Sequence, residues 1–152
     1  QARDGTWYYL GSPIGRFELV KLFSSILRKD EDKYFLVTPA EKVGIKVDDA
    51  PFVAVDFSVV GNSKNQTLIF ETHVGDTVKL NKENPLRVKI DRNSGEPKPY
   101  IHIRSGLEAL IDRKSFYRLI ELCSIKTHNK EEWFGICSNK KFFPIILASE
   151  LS

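Results

Sequence analysis

Apolar side chains follow two rhythms along this chain of 152 residues. In two stretches they recur at every third or fourth position, the spacing of an amphipathic helix. Leu19, Val20, Phe23, Ile26 and Leu27 predict a helix from about Arg16 to about Arg28. Phe116, Leu119, Ile120 and Cys123 predict another from about Arg113 to Ser124. Elsewhere the apolar positions alternate or cluster as strands do. Those segments are Thr6–Leu10, Tyr34–Val37, Val43–Val47, Phe52–Val60, Thr67–Thr72, Thr77–Leu80, Leu86–Ile90, Tyr100–Ile103, Trp133–Ile136 and a return from Lys140.

The two helical stretches begin alike. Ile14-Gly15-Arg16-Phe17-Glu18-Leu19-Val20-Lys21-Leu22-Phe23 is echoed by Ile111-Asp112-Arg113-Lys114-Ser115-Phe116-Tyr117-Arg118-Leu119-Ile120. Gly15 and Asp112 are both N-cap types, Asp the stronger. Ile14 and Ile111 are spaced to staple onto Leu19 and Phe116. A strand precedes each helix; a polar connection (Lys29–Lys33, Lys126–Glu132) and a hairpin follow it. The pattern predicts an α+β protein made by duplicating a strand–helix–hairpin unit around antiparallel sheets. Ile14 with Ile111, Arg16 with Arg113, and Leu22 with Leu119 would then be equivalent structural positions. Residues 1–50 are expected to form an N-terminal unit. Residues 51–152 would be a β-rich half holding the second copy, the two packed as one globule. Arg16 and Arg113 each oppose the helix dipole, so each is expected to pack or pair with a specific group, such as a carboxylate in the facing half.

Composition narrows the classes of function. A net charge of +3 tilts the protein slightly toward anions but falls short of the clustered cations that nucleic-acid binding needs. Two cysteines make no disulfide framework, and Cys123 reads as a small core residue. The run Phe142–Leu147 is too short to cross a bilayer, so no membrane partner is expected and the cytoplasm is the default location. The chain starts at Gln1 and contains no Met, from which a missing or processed natural start is expected. There is no Gly-rich phosphate loop, no nucleophile elbow and no His pair at metal-ligand spacing. The expectation is therefore no catalytic residue, no metal and no cofactor.

Three sets of residues remain as candidates. The turn Thr38-Pro39-Ala40-Glu41-Lys42 sets a hydroxyl beside two opposite charges. In His73-Val74-Gly75-Asp76, Gly75 suits a tight turn and Asp76 a backbone amide. Arg87, Lys89 and Arg104 are strand-borne cations suited to carboxylate or phosphate, or to ion pairs with Glu108, Asp91 or Asp112. Tyr100 or Trp7 would offer a stacking face. An enzyme would need Glu41, Asp76 and His73 to converge in one cleft.

The ordered series Asp4-Gly5-Thr6-Trp7, Pro13-Ile14-Gly15-Arg16, Thr38–Lys42, Val74-Gly75-Asp76, Pro85-Leu86-Arg87-Val88 and Arg104-Ser105-Gly106-Leu107-Glu108-Ala109 resembles the bacterial family called domain of unknown function 1285. The resemblance covers about Asp4 to about Leu122. It implies a duplicated α+β core, a C-terminal half loosely like pleckstrin-homology domains, and a ligand site between the halves. It also implies a nucleotide-like ligand and a role in signalling. The combined expectation is a non-enzymatic protein binding an anionic small molecule through Thr38, Glu41, Lys42, His73, Asp76, Arg87, Tyr100, Arg104 and Glu108. The alternative is a protein–protein interaction module with no small-molecule ligand.

Overall fold

The computed structural model describes residues 5–9, 12, 13, 15, 17–39, 42–62 and 65–150. A short ladder of β1 (Tyr8–Tyr9) and β2 (Ser12–Pro13) comes first, then helix α1 (Phe17–Ser25) and a meander of β3 (Leu27–Asp30), β4 (Lys33–Val37) and β5 (Lys42–Ile45). Six strands follow: β6 (Phe52–Val60), β7 (Thr67–Thr72), β8 (Thr77–Lys79), β9 (Leu86–Ile90), β10 (Pro97–Arg104) and β11 (Leu107–Ile111). They make one sheet in the order β8-β7-β6-β11-β10-β9. Helix α2 (Arg113–Glu121) leads to a second meander, β12 (Ser124–His128), β13 (Glu131–Ser138) and β14 (Lys141–Leu147), ended by a 3-10 turn at Ala148–Glu150. Among the described residues every pairing is antiparallel except β6 with β11, where Phe52, Val53 and Ala54 oppose Ala109, Leu110 and Ile111.

This architecture overturns the α+β, duplicated plan. The protein is mostly β, and its centre is a six-stranded sheet curled into a half-barrel rather than a repeated strand–helix–hairpin unit. The strands before the two helices are not equivalent. Among the described residues β1 pairs only with β2, whereas β10 and β11 lie inside the large sheet. The helices also turn different faces inward. Leu119 is fully buried while Leu22 is 56% exposed, and Tyr117 is exposed where Val20 is buried. Like sequences thus adopt unlike orientations, because each helix rotates to suit the sheet it meets. Ile111 lies in β11 within the core, whereas Ile14 and Arg16 fall outside the described residues.

Helix lengths differ from expectation for a related reason. Both stop after nine residues, and Leu27 and Ser124 already belong to strands. β3 and β12 begin within the expected ends of the helices and run into the stretches predicted to be polar connections. Both are sheet edges, mostly exposed on both faces, so neither needs the alternation that marks a half-buried strand. Asp112 does cap α2: its Oδ1 accepts the Ser115 backbone N–H at 2.9 Å.

One hydrophobic core joins all regions, from Trp7, Val20 and Leu27 through Phe52, Phe70, Ile101 and Leu107 to Leu119, Ile136 and Ile145. In β6, strict alternation would turn Asp56 inward with Phe52 and Ala54. A bulge between Ala54 and Asp56 adds a residue, so Phe57 enters the core against Phe70 at 5.2 Å. Asp56 stays outside, where Arg118 of α2 binds its carboxylate and also donates to the Phe57 carbonyl at 3.1 Å. Arg118 holds that carboxyl below its usual range. Gly135 of β13 is required by contact: a Cβ there would sit 2.3 Å from the Phe143 carbonyl oxygen.

Ser138 fastens the second meander to the large sheet. Its fully buried hydroxyl accepts the Leu68 N–H at 2.9 Å and donates to the Leu80 carbonyl at 2.6 Å. Ser138→Ala would strand both groups in the interior, at a cost of about 1–3 kcal/mol. Urea unfolding measures this, and a loss below about 0.5 kcal/mol would show that the hydroxyl is not the fastening.

Candidate functional site

Several expected site residues meet where the first fifty residues touch the large sheet. Tyr100 on β10 stands opposite Arg87 on β9 and Leu110 on β11. Opposed side chains share a face, and Glu108, opposite His102, lies on that face too. Arg87 forks onto Glu108 with two hydrogen bonds of 2.7 Å and lies over the Tyr100 ring at 4.4 Å. Its Nη1 makes no hydrogen bond to the described residues. The Tyr100 hydroxyl donates to Asp49 Oδ1 at 2.6 Å, while Asp49 Oδ2 is buried with no partner among the described residues. Burial first, and then the bond to Asp49, hold the Tyr100 hydroxyl far above its ordinary pKa of 10.0. Tyr34 on β4 is shifted the same way by burial and by Glu108 and Asp49. The Glu108 bond raises the already basic Arg87 further.

Arg104 does not join this cluster. It opposes Leu107 across a bulge in β10, and Leu107 is fully buried, so Arg104 shares the core-facing side of the sheet. There it donates to the Ser24 carbonyl at 2.8 Å and lies 5.9 Å from the Phe52 ring. It ties α1 to the sheet, and the two arginines expected to grip one anion lie on opposite faces.

The remaining candidates are dispersed. Lys42 pairs with Asp30 at 3.1 Å and covers the Phe35 ring at 4.3 Å. Thr38 is exposed, and Glu41 lies outside the described residues. His73 Nδ1 accepts the Val53 N–H at 3.2 Å, and Gly5 packs against the ring. Asp76 closes its own turn, its N–H donating to Thr72 Oγ1 at 3.2 Å. Trp7 is buried and stacks on Phe23 at 5.9 Å, so it offers no face to a ligand. Arg113 reaches Glu96 at 3.3 Å, with side chains 70% and 61% exposed. Among the described residues no three His, Cys, Asp or Glu side chains are grouped to hold a metal, and no helix is long and apolar enough to cross a membrane.

Open space lies elsewhere. A groove of about 510 Å³ runs between the β9–β10 hairpin and α2. Pro97, Pro99, Leu110 and Phe116 wall it, with the exposed Tyr117 ring alongside. Its polar groups are two ion pairs, Lys98–Asp91 at 3.4 Å and Arg113–Glu96, with Ser94 and the helix-capping Asp112 beside them. A concavity of about 790 Å³ lies beside β12, and one of about 370 Å³ on the β4–β5 hairpin. Sequence reasoning missed Tyr34 and Asp49 in the cluster and Lys98, Phe116 and Tyr117 in the groove. Only the Asp48-Asp49 pair ahead of a strand was a local signal.

Residues 1–50 match the family model described as the N-terminal domain of DUF1285, a domain of unknown function. Residues 51–145 match the C-terminal domain of the same protein of unknown function. A DUF1285 family protein from Silicibacter pomeroyi DSS-3, solved at 2.50 Å, is 57% identical, with a TM-score of 0.92 over 99% of this chain and 80% of that one. A second, from Shewanella baltica OS155, is 30% identical, with a TM-score of 0.63 over 80% of this chain and 88% of its own. No curated protein matches the chain.

The cluster makes a prediction about pH. Because the folded protein holds the Tyr100 proton more tightly than the unfolded chain does, that stabilisation is complete below about pH 10 and is lost as pH climbs toward the folded value. Tyr100→Phe removes this alkaline dependence and leaves Asp49 without a donor, costing about 1–3 kcal/mol at neutral pH. Denaturant unfolding from about pH 8 to about pH 11 tests both, and parallel pH profiles for the two proteins would rule out the assignment.

Proposed function

The chain belongs to the DUF1285 family, and we propose that it is a non-catalytic binding protein whose groove between the β9–β10 hairpin and α2 takes a nucleotide-like anion. The groove itself carries this reading. Its volume suits a small ligand, and its walls combine apolar surface with a few polar groups, as binding sites do. Tyr117 would supply a face for a flat ring. Arg113 would meet the anion, because its pair with Glu96 is largely exposed and worth at most about 1 kcal/mol. A phosphate or carboxylate that forks onto the guanidinium makes the stronger contact and would displace Glu96. The lining contains no His or Cys, and its Ser94 hydroxyl accepts the Glu96 N–H at 3.2 Å, so the groove is read as a binding site. The junction cluster is less open to an anion, since Glu108 holds Arg87 by two hydrogen bonds of 2.7 Å, against the single 3.3 Å contact between Glu96 and Arg113. A role in relaying a signal would follow from ligand-dependent ordering of the hairpin that bears Glu96.

Thermal-shift measurements against nucleotides and phosphorylated metabolites test this. A ligand at about a hundred times its Kd adds roughly 2.7 kcal/mol, a rise of several degrees for a chain of this size. Arg113→Ala and Tyr117→Ala should each remove the shift, whereas Lys42→Ala should retain it. Silence across the panel, or a shift indifferent to both groove variants, would refute the proposal.

A further inference from the structure

We infer that the free edge of β12 is a docking strand for an extended, basic segment of a partner protein, independent of the groove proposed above. β12 is an outer strand, joined only to β13 in its sheet, and Ser124, Ile125, Lys126 and Thr127 are all exposed. A lysine on an edge strand ordinarily discourages such pairing. Lys126 instead leans back over its own sheet, its Nζ 3.1 Å from Cys137 Sγ. Beside the strand lies the concavity of about 790 Å³, lined by Ile125, Leu147, Ala148, Ser149, Glu131 and Glu132. Ile125 is 54% exposed there. Glu131 and Glu132 make no ion pair among the described residues. On a chain of net charge +3 this concavity is lined by two carboxylates and no cation. Charge complementarity therefore selects a partner bearing Lys or Arg. The backbone edge selects an extended one, and the apolar floor accepts an aliphatic side chain. Addition of a strand in this way draws affinity from main-chain hydrogen bonds and specificity from the pockets beside them.

A second copy of this chain is a poorer occupant. In an antiparallel self-pairing centred on β12, Lys126 would face its own counterpart, and like charges directly opposed are unfavourable.

The test uses the full chain labelled with nitrogen-15 and a synthetic peptide of about ten residues alternating lysine with isoleucine and threonine. Saturable amide shifts are expected in Ser124–His128 and around Glu131 and Glu132, weakening with added salt. The double variant Glu131→Lys, Glu132→Lys should bind at least about tenfold more weakly, equivalent to about 1.4 kcal/mol. Ile125→Ser should weaken binding without altering the charge, and Arg113→Ala should bind as the parent does. The inference falls if the peptide causes no shifts at millimolar concentration, or if a glutamate version binds equally. It also falls if the shifts gather at Pro97 and Tyr117, or if sedimentation shows that β12 pairs with a second copy.

Discussion

The structure depends on three residue pairs. Phe52, Val53 and Ala54 lie parallel to Ala109, Leu110 and Ile111, and this short ladder joins two antiparallel meanders into one curled sheet. A parallel pair cannot be closed by a tight turn, so the chain between the strands must travel out and return. It does so as β7 to β10. Phe52, Ala54 and Ala109 have no exposed surface, so burial fixes the register: a slip of one residue would send these side chains to the opposite face. Strand β10 is thereby placed with Tyr100 toward Asp49 and Arg104 toward α1, which makes the junction between the first fifty residues and the sheet.

That junction and the groove divide the polar chemistry of the protein. At the junction the charged groups find partners within: Arg87 in Glu108 and Tyr100, Arg104 in the Ser24 carbonyl, and one oxygen of Asp49 in the Tyr100 hydroxyl. Partly desolvated groups need such partners, so the junction reads as an assembly device. In the groove the pair of Arg113 with Glu96, the more exposed of the two ion pairs, lies beside apolar surface where a competitor can reach it, whereas Lys98 and Asp91 are mostly covered. The distinction rests on exposure rather than on residue type, and exposure is what a linear sequence conceals.

Much of the central sheet was legible. Phe52–Val60, Thr67–Thr72 and Leu86–Ile90 announce themselves through β-branched and aromatic residues, and Asp112 announces a helix start. The repeat at Ile14 and Ile111 was a true likeness of sequence that did not become a likeness of structure. Helical periodicity gives the width of an apolar stripe, but not which sheet will meet it or at what rotation. The pairing of Arg87 with Glu108 was one of the ion pairs the strand cations could have made. The separation of Arg87 from Arg104 was hidden by the β10 bulge, which no residue pattern marks. Tyr34 and Asp49 reach the cluster from a distant stretch of chain, through contacts that local pattern cannot encode.

The parallel ladder also governs when this protein can fold. A chain emerging from the ribosome has Phe52–Ala54 available long before Ala109–Ile111 exist, so β6 and β7 must wait as a hairpin with an unpaired, strongly apolar edge. Non-local pairing of this kind slows folding and leaves sticky strands exposed meanwhile. The core cannot be completed until Ile136 and Ile145 arrive to join the cluster to which Trp7 and Leu27 also belong. The last third of the chain thus acts on the first as a seal, and a truncation there would be felt at the opposite end of the sequence.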